Sequence, residues 1–197
     1  MSTDELSEQV SPSDSAPFDL SEASDGILAG RSSDGDERAF EILVRRHGPL
    51  MRAYVIRILG SNSDADDVVQ EAFITAWREL ATTEVTAVKA WLMKIASRKA
   101  IDRVRSRRRV EPLEDWDAET SDSESPHRLA EVASQREVLS RALSRLPVVQ
   151  RQCWVLREVG DRSYDEIAEE LGIPPSTVRG SLARARKTLA KEMEEWR

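Results

Sequence analysis

The chain has 197 residues, of which 40% are hydrophobic and 33% are charged, a length that suits one domain or two small helical domains with tails. The sequence has no run of about 18 apolar residues, so no membrane span is expected, and its acidic N-terminus lacks the apolar segment of a secretory signal. The single cysteine, Cys153, excludes an internal disulfide framework and favours a reducing compartment such as the cytoplasm.

The net charge of −7 hides an alternation of sign along the chain. Residues 1–37 carry ten acids and one base, whereas residues 38–110 carry fifteen bases and eight acids. Residues 111–134 carry eight acids and one base, and residues 135–197 carry twelve bases and ten acids. Two basic modules therefore alternate with two acidic segments, and this pattern indicates more about binding partners than the overall acidity does.

Residues 1–35 are predicted to form a disordered acidic tail. Ser, Asp, Glu and Gly dominate this segment, and its few apolar residues offer too little surface to offset the entropy of ordering. Two roles stay open for the tail. It is either a solvating segment or a mimic of nucleic acid that occupies a basic surface of the free protein.

Apolar residues at helical spacing predict four helices in the first basic module. Gly48-Pro49 punctuates the pattern and is expected to separate the first helix from the second. The third helix is acidic and the fourth is strongly basic. The predicted helices cover residues 36–46, 50–59, 64–80 and 90–107. Since no alternating strand pattern occurs in the sequence, we expect an all-α fold.

The polar residues of the acidic helix lie opposite its apolar stripe, which includes Val68, Ala72 and Phe73. Aspartates near the start of a helix also interact favourably with its dipole. We interpret the polar face as a surface that docks on another protein. Its members are Asp66, Asp67, Gln70 and Glu71.

The basic helix buries a stripe that includes Leu92 and Ile95, and its other faces are cationic. Arginine and lysine neutralise phosphates and release counterions, so these faces are candidates for DNA binding. The spacing of Asp102 from Arg98 and Arg105 favours a role in orienting the arginines over acid–base chemistry. The candidate DNA-binding residues are Lys94, Arg98, Lys99, Arg103, Arg105, Arg107 and Arg108.

Residues 110–134 are predicted to be a flexible linker, because their acids repel one another and keep the segment extended. Trp116 is unusual for a pure spacer, and whether it docks on a partner stays open. The second module starts near Gln135 with a helix that ends at Pro147, followed by a helix over residues 150–159.

A helix-turn-helix follows. Ser163 and Glu166 have the spacing of a capping box, Gly172 supplies the turn, and Pro175 suits the first position of the next helix. The second helix of this motif enters the major groove of DNA, and no acid occurs from Gly172 to Lys191. The candidate base-reading and phosphate-binding residues are Ser176, Thr177, Arg179, Arg184 and Lys187.

Other conspicuous residues have structural interpretations. Trp77 and Trp154 are expected in the core, Cys153 is expected to be an inert buried thiol, and His47 and His127 are expected at the surface. The sequence has no phosphate-cradling glycine loop and no Cys/His pair at metal spacing. We therefore expect no cofactor, no metal and no catalytic group.

Both modules resemble the extracytoplasmic-function class of bacterial sigma factors, over roughly residues 36–191. The motifs of either half alone are moderately specific for this class, whereas both sets in this order, with an acidic linker between them, are highly specific. The resemblance is carried by Asp66-Asp67-Val68-Val69-Gln70-Glu71-Ala72-Phe73, Trp91-Leu92 with Ile95-Ala96, Ala100-Ile101-Asp102-Arg103-Val104-Arg105, Ser163-Tyr164-Asp165-Glu166-Ile167-Ala168, and Ser176-Thr177-Val178-Arg179 with Ala183-Arg184-Ala185-Arg186.

The resemblance implies two small helical domains joined by the acidic linker: a four-helix promoter-melting domain (region 2) over residues 36–109 and a helix-turn-helix domain (region 4) over residues 135–197. It implies that the acidic helix docks on the clamp helices of the largest subunit of core RNA polymerase. The basic helix would hold minus-ten promoter DNA. The helix-turn-helix would read minus-thirty-five DNA and sit on the polymerase flap.

The resemblance also implies an anti-sigma factor as regulator and a stress or envelope regulon. Arg98 stands where many members of the family carry Asn, Gly180 stands where Ser is frequent, and Ser181 where a basic residue is frequent, so the promoter sequences do not follow from the resemblance. Two alternatives remain open at this point: an autonomous dimeric helix-turn-helix regulator that does not need polymerase, and a helical adaptor. Reversing the charges of Asp66 and Asp67 discriminates the first of these, because only a polymerase-bound factor needs that surface.

Overall fold

The computed structural model describes residues 19–110 and 130–195, with side chains described for residues 19–107 and 137–194. These residues form a short 3-10 turn at Leu20–Glu22 and eight α-helices, and they contain no strand, which confirms the all-α prediction. The helices are α1 (Asp25–Ser33), α2 (Glu37–Leu59), α3 (Ala65–Leu80), α4 (Val88–Val110), α5 (Ala130–Arg145), α6 (Val148–Glu158), α7 (Tyr164–Leu171) and α8 (Pro175–Glu195).

The prediction of a disordered tail through residue 35 is wrong for residues 19–35. Helix α1 packs on α2 and buries Leu28 and Ala29, and the side chain of Ser24 caps its first turn. Arg46 of α2 donates hydrogen bonds to the Asp25 carboxylate at 2.5 Å and to a backbone carbonyl of the preceding turn. A few apolar side chains suffice to order α1, because α2 already provides a surface on which they pack. Residues 1–18, and with them the two open roles of the tail, lie outside the described residues.

The predicted break at Gly48-Pro49 is also wrong, because α2 runs through both residues. A proline inside a helix removes one backbone hydrogen bond and costs about 3 kcal/mol. Both halves of α2 bury the same continuous stripe, which includes Leu43, Met51 and Ile58, and this burial offsets the cost. The N-terminal module therefore has four helices, α1–α4, but not the four that the sequence predicts.

The C-terminal module consists of α5–α8, with α6 and α7 packed against α8. The capping box at Ser163 is present in full: Glu166 N–H donates to the Ser163 hydroxyl, and Ser163 N–H donates to the Glu166 carboxylate at 2.9 Å. Gly172 adopts the left-handed conformation (φ 63°) that ends α7. Helix α4 ends at Val110 and helix α5 begins at Ala130, both inside the predicted linker of residues 110–134. Residues 111–129, with Trp116 and His127, lie outside the described residues.

The two modules also pack directly against each other, so that their buried residues form one continuous apolar core. The C-terminal half of α2 contacts α5 and α6. Tyr54 of α2 is only 1% exposed, and burial raises the pKa of its hydroxyl. Arg151 of α6 is 4% exposed and reaches the last carbonyl groups of α2. Sequence reasoning connected the modules by the linker alone and missed this interface.

Candidate protein-docking and nucleic-acid interfaces

The four candidate docking residues of α3 are all exposed, but they divide between two faces of the helix. Asp66 and Gln70 face α2, where Arg52 donates a hydrogen bond to the Asp66 carboxylate at 2.7 Å and lowers the pKa of that carboxyl. Glu71 faces α4 and forms an ion pair with Arg103 at 2.8 Å. Asp67, four residues before Glu71, lies on the same side of α3 as Glu71.

Asp66 and Gln70 border an open groove of about 810 Å³ between α2 and α3 that the sequence did not reveal. Its lining is mostly apolar, and Phe40 stacks edge-on against both Phe73 and Trp77 there. Ile74 is 43% exposed, and Trp77, expected in the core, is only half-buried. An exposed apolar surface rimmed by charges is typical of a protein-docking site. The apolar lining residues are Phe40, Val44, Pro49, Val69, Phe73, Ile74 and Trp77.

Three candidate DNA-binding residues of α4 form a stripe that faces α3: Lys99, Arg103 and Arg107 are spaced four residues apart and lie on one side of the helix. Arg103 bridges Glu71 and, at 3.6 Å, Asp64. Arg107 pairs with Asp64 and donates a hydrogen bond to the Ser63 hydroxyl. Arg103 and Arg107 therefore also tie α4 to the start of α3.

A second stripe of α4 contains Lys94, Arg98 and Arg105 and faces α7 across a polar cleft of about 300 Å³. Arg105 forms an ion pair with Asp102 at 3.6 Å, which agrees with the orienting role predicted for that aspartate. Arg105 also donates a hydrogen bond to the backbone carbonyl of Glu170 at 3.0 Å. The side chain of Arg108, the remaining candidate, lies outside the described residues.

The five candidate residues at the front of the helix-turn-helix are exposed on α8. The opposite side of α8 is buried through Val178, Leu182 and Ala185, so the helix presents its polar front outwards. A Cβ added at Gly180 would meet only the flexible guanidinium of Arg184, at ordinary contact distance. An exposed, acid-free front on the second helix of this motif is the arrangement required for insertion into the major groove.

Two further residues bear on the sequence interpretation. Cys153 is buried, and burial raises the pKa of its thiol to about 11, which suits the predicted inert role. The prediction that His47 is exposed is wrong: the residue is 7% exposed, and its ring Nε2 contacts the Asp25 carboxylate at 2.8 Å. Asp25 belongs to α1, the helix that the sequence did not predict, so its partner was missed as well.

Two other kinds of site are absent from the part of the chain that the structure describes. In residues 19–110 and 130–195, no three His, Cys, Asp or Glu side chains group as ligands for a metal ion. Over the same ranges, no helix combines the length and apolar character needed to span a membrane.

Comparisons with known proteins match both modules. Residues 43–110 match the model of Sigma-70 region 2, and residues 136–189 match that of Sigma-70 region 4. The ECF RNA polymerase sigma-E factor of Escherichia coli K12 is 34% identical over 181 residues, which cover 86% of this chain and 94% of that protein. The RNA polymerase sigma-H factor of Pseudomonas aeruginosa is 31% identical over 186 residues, which cover 89% of this chain and 96% of that protein.

Two solved structures are similar over most of the chain. CnrH, in complex with the cytosolic domain of CnrY, is 30% identical with a TM-score of 0.50 and covers 87% of this chain and 97% of its own. The sigma factor RpoE of Bartonella quintana, in complex with the anti-sigma factor NepR, is 25% identical with a TM-score of 0.57. The match covers 79% of this chain and 96% of the RpoE chain. The two family models, the near full-length relatives and the exposed helix-turn-helix agree. The chain belongs to the extracytoplasmic-function sigma factors, which initiate transcription as alternative promoter-specificity subunits of bacterial RNA polymerase.

Proposed function

We propose that this sigma factor works through three surfaces of its own chain. The groove and acidic face of α3 dock on the clamp helices of the largest polymerase subunit. The basic helix α4 holds minus-ten DNA and its unpaired bases. The front of α8 reads the minus-thirty-five duplex while its module sits on the polymerase flap. The observation that carries the proposal is the exposed, acid-free front of α8 in the same chain as the charge-rimmed groove of α2 and α3.

The polymerase-docking role rests on the composition of the groove. Apolar side chains provide the buried area of an interface, and surrounding charges fix its orientation and partner choice. Asp66 and Gln70 border the groove, while Asp67 and Glu71 extend the polar surface around α3. We propose that apolar residues such as Ile74 contribute to docking alongside these four.

The DNA-binding roles rest on charge and exposure. Arg179 and Arg184 lie exposed on α8, at positions from which side chains reach base edges and phosphates. On α4, Arg98 and Arg105 are exposed beside the polar cleft and are suited to phosphate contacts. Arg103 and Arg107 have acidic partners on α3 or next to it, so their roles combine support of the fold with contact to DNA.

The remaining roles follow from the family. We propose that the protein acts in the cytoplasm, that it contributes no catalytic group to RNA synthesis, and that it serves a stress or envelope regulon. CnrH is bound to CnrY and RpoE to the anti-sigma factor NepR in their structures. We propose a protein of the same kind as the regulator of this chain.

The direct test is run-off transcription with core polymerase on genomic fragments. The expected result is promoter-dependent RNA that requires this chain. Asp67→Lys is expected to weaken polymerase binding by about tenfold or more, because a reversed charge on a docking surface opposes the complementary partner. The matched control is Glu84→Lys, the same charge change at an exposed position beyond α3.

The autonomous-regulator alternative predicts the opposite results. Under it, the purified chain alone binds a specific duplex tightly, Asp67→Lys has no effect, and polymerase adds nothing. Absence of promoter-dependent RNA with the wild-type chain would contradict the proposed function itself.

A further inference from the structure

Asp64 lies at the junction of the docking helix α3 and the basic helix α4. It immediately precedes α3, the position from which an aspartate usually accepts a hydrogen bond from the first turn of its own helix. The Asp64 side chain makes no such capping bond. Its carboxylate is paired instead with two arginines of α4, with Arg103 at 3.6 Å and with Arg107. The acid therefore serves the DNA-binding helix rather than its own.

The three charged groups of this network are partly withdrawn from solvent. The side chains of Asp64, Arg103 and Arg107 are 21%, 28% and 23% exposed. Arg105 and Asp102, which pair on the other stripe of α4, are 48% and 70% exposed. Partial burial strengthens the attraction between charges, whereas fully exposed pairs contribute little. The pairing of Asp64 with the two arginines is therefore the firmer of the two.

Each arginine is also held from a second direction. Glu71 of α3 pairs with Arg103 at 2.8 Å, and Arg107 donates a hydrogen bond to the Ser63 hydroxyl at 2.8 Å. A free arginine side chain samples many rotamers and loses that freedom when it binds a ligand. A side chain that is already fixed loses less on binding, so a ligand meets a preorganised pair of cations.

The carboxylate also opposes a repulsion within α4. Arg103 and Arg107 stand one helical turn apart, a spacing at which like charges repel. Asp64 contacts both and keeps both guanidiniums on the α3 side of the helix. A guanidinium carries five N–H donors in a planar fork, so an arginine that is held by a carboxylate can also donate to a phosphate.

We propose that Asp64 is a positioning residue for minus-ten DNA, because its carboxylate orients Arg103 and Arg107 for contact with phosphates. The inference deepens the proposed function and rests on it, since the direction of these arginines matters for DNA only if α4 binds promoter DNA. Asp64 itself repels phosphate, so its contribution to binding lies in the geometry of its two partners.

Charge and positioning predict opposite effects for Asp64→Asn. By charge alone, the change makes the surface one unit more positive, so it tightens DNA binding and steepens the dependence on salt. By positioning, the same change releases two arginines, so binding weakens although positive charge is gained. Asparagine is as good a residue as aspartate at the start of a helix, so α3 itself is not weakened.

The test measures binding of core polymerase with the full chain to a labelled promoter fragment by fluorescence anisotropy. The fragment is one that gives run-off RNA with the wild-type chain. The matched control is Asp34→Asn, the same loss of charge at an exposed position where α1 ends. Relative to that control, Asp64→Asn is expected to bind about tenfold more weakly. The slope of log affinity against log salt, between about 50 and 200 mM, is expected to fall in magnitude by about one.

Two further variants separate positioning from a general structural role. Asp64→Glu keeps the carboxylate and should restore most of the lost affinity. In an Arg107→Met background, Asp64→Asn should cost less than in the wild-type chain, since one of its two partners is absent. The affinity of each Asp64 variant for core polymerase alone should equal that of Asp34→Asn, because α3 keeps its fold.

Promoter binding by Asp64→Asn that equals or exceeds that of Asp34→Asn would overturn the positioning role. A parallel loss of affinity for polymerase alone would overturn it as well, because the change would then act on α3 as a whole. Failure of the proposed function appears earlier and separately: no fragment gives RNA with the wild-type chain, and this inference falls with it.

Discussion

Arg151 donates hydrogen bonds to carbonyls of both modules, those of Ile58 and Leu59 at the end of α2 and those of Ser144 and Leu146 at the end of α5. Its side chain lies at the point where α2 and α5 end, and helix ends leave backbone carbonyls without partners of their own. The guanidinium offers five donors in a planar fork, enough to serve carbonyls on two helices. In sequence it is one arginine among many in a basic module, and nothing in its spacing distinguishes it from the DNA-binding candidates.

Replacing Arg151 with Met should lower the free energy of unfolding by about 2–4 kcal/mol, because it leaves buried carbonyls at the ends of two helices without their donor. Urea unfolding measures the effect. Arg179→Met, on the exposed front of α8, is the control and should change stability by less than about 0.5 kcal/mol. Similar stabilities for the two variants would contradict the anchoring role of Arg151.

Gly60 lies against the same guanidinium. It ends α2 in the left-handed conformation (φ 79°), and a Cβ added there would overlap the Arg151 side chain. Gly60→Ala should therefore lower the free energy of unfolding by about 1–3 kcal/mol, from backbone strain and the clash together. Gly30→Ala is the control, since open space surrounds Gly30 within α1 and alanine favours a helix. That variant should be neutral or slightly more stable in the same urea assay.

At the scale of elements, helix ends and periodicity were readable from sequence. The stripes of α3 and α6 and the capping box of α7 predicted helices close to those observed. The sequence did not predict α1 or the unbroken α2, because both helices depend on tertiary burial. Burial outweighs the polar composition around Leu28 and the helix-breaking tendency of Pro49. The exposed front of α8 was predictable from charge alone. The contacts of the two basic stripes of α4 were not predictable, because their partners belong to other helices, α3 and α7.

The capping box of α7 gives a prediction for pH. Hydrogen bonds from the backbone and hydroxyl of Ser163 lower the pKa of the Glu166 carboxyl below its ordinary value of 4.5. The charged form therefore stabilises the fold fully above pH 4.5, and this contribution is lost as pH falls through the lowered folded-state pKa. Glu166→Gln keeps a capping acceptor but not the charge.

We expect the wild-type chain to be more stable than Glu166→Gln near pH 7 and the difference to shrink below pH 4.5. Urea unfolding of both proteins across pH 3–7 measures it. Glu169→Gln removes a charge from the same helix without touching the cap and serves as the control. A stability difference for Glu166→Gln that does not change with pH would count against the electrostatic part of the cap.

At the scale of the whole molecule, the shared core joins two modules that the sequence presents as separate. Residues from α2, α6 and α8 belong to one buried apolar cluster, so the loss of one module exposes surface on the other. A linker and two independent domains would instead behave as two weakly coupled units. A change that weakens the contact between α4 and α7 is therefore expected to weaken the coupling between the two modules as well.

This coupling is measurable by differential scanning calorimetry. The wild-type chain should unfold in one cooperative transition, with a calorimetric enthalpy close to the van't Hoff enthalpy. Glu170→Lys removes the hydrogen bond that the Ser97 hydroxyl of α4 donates to the Glu170 carboxylate of α7. It should raise the ratio of the two enthalpies above one, because modules without this contact melt more independently. Asp165→Lys, at an exposed position of α7 outside the cleft, should keep the wild-type ratio. Two resolved transitions in the wild-type chain would mean that contacts such as Arg151 with Leu59 do not couple the modules. The extent of coupling also bounds how readily any partner can separate the modules, since a partner shifts a conformational equilibrium only by its difference in affinity for the two states.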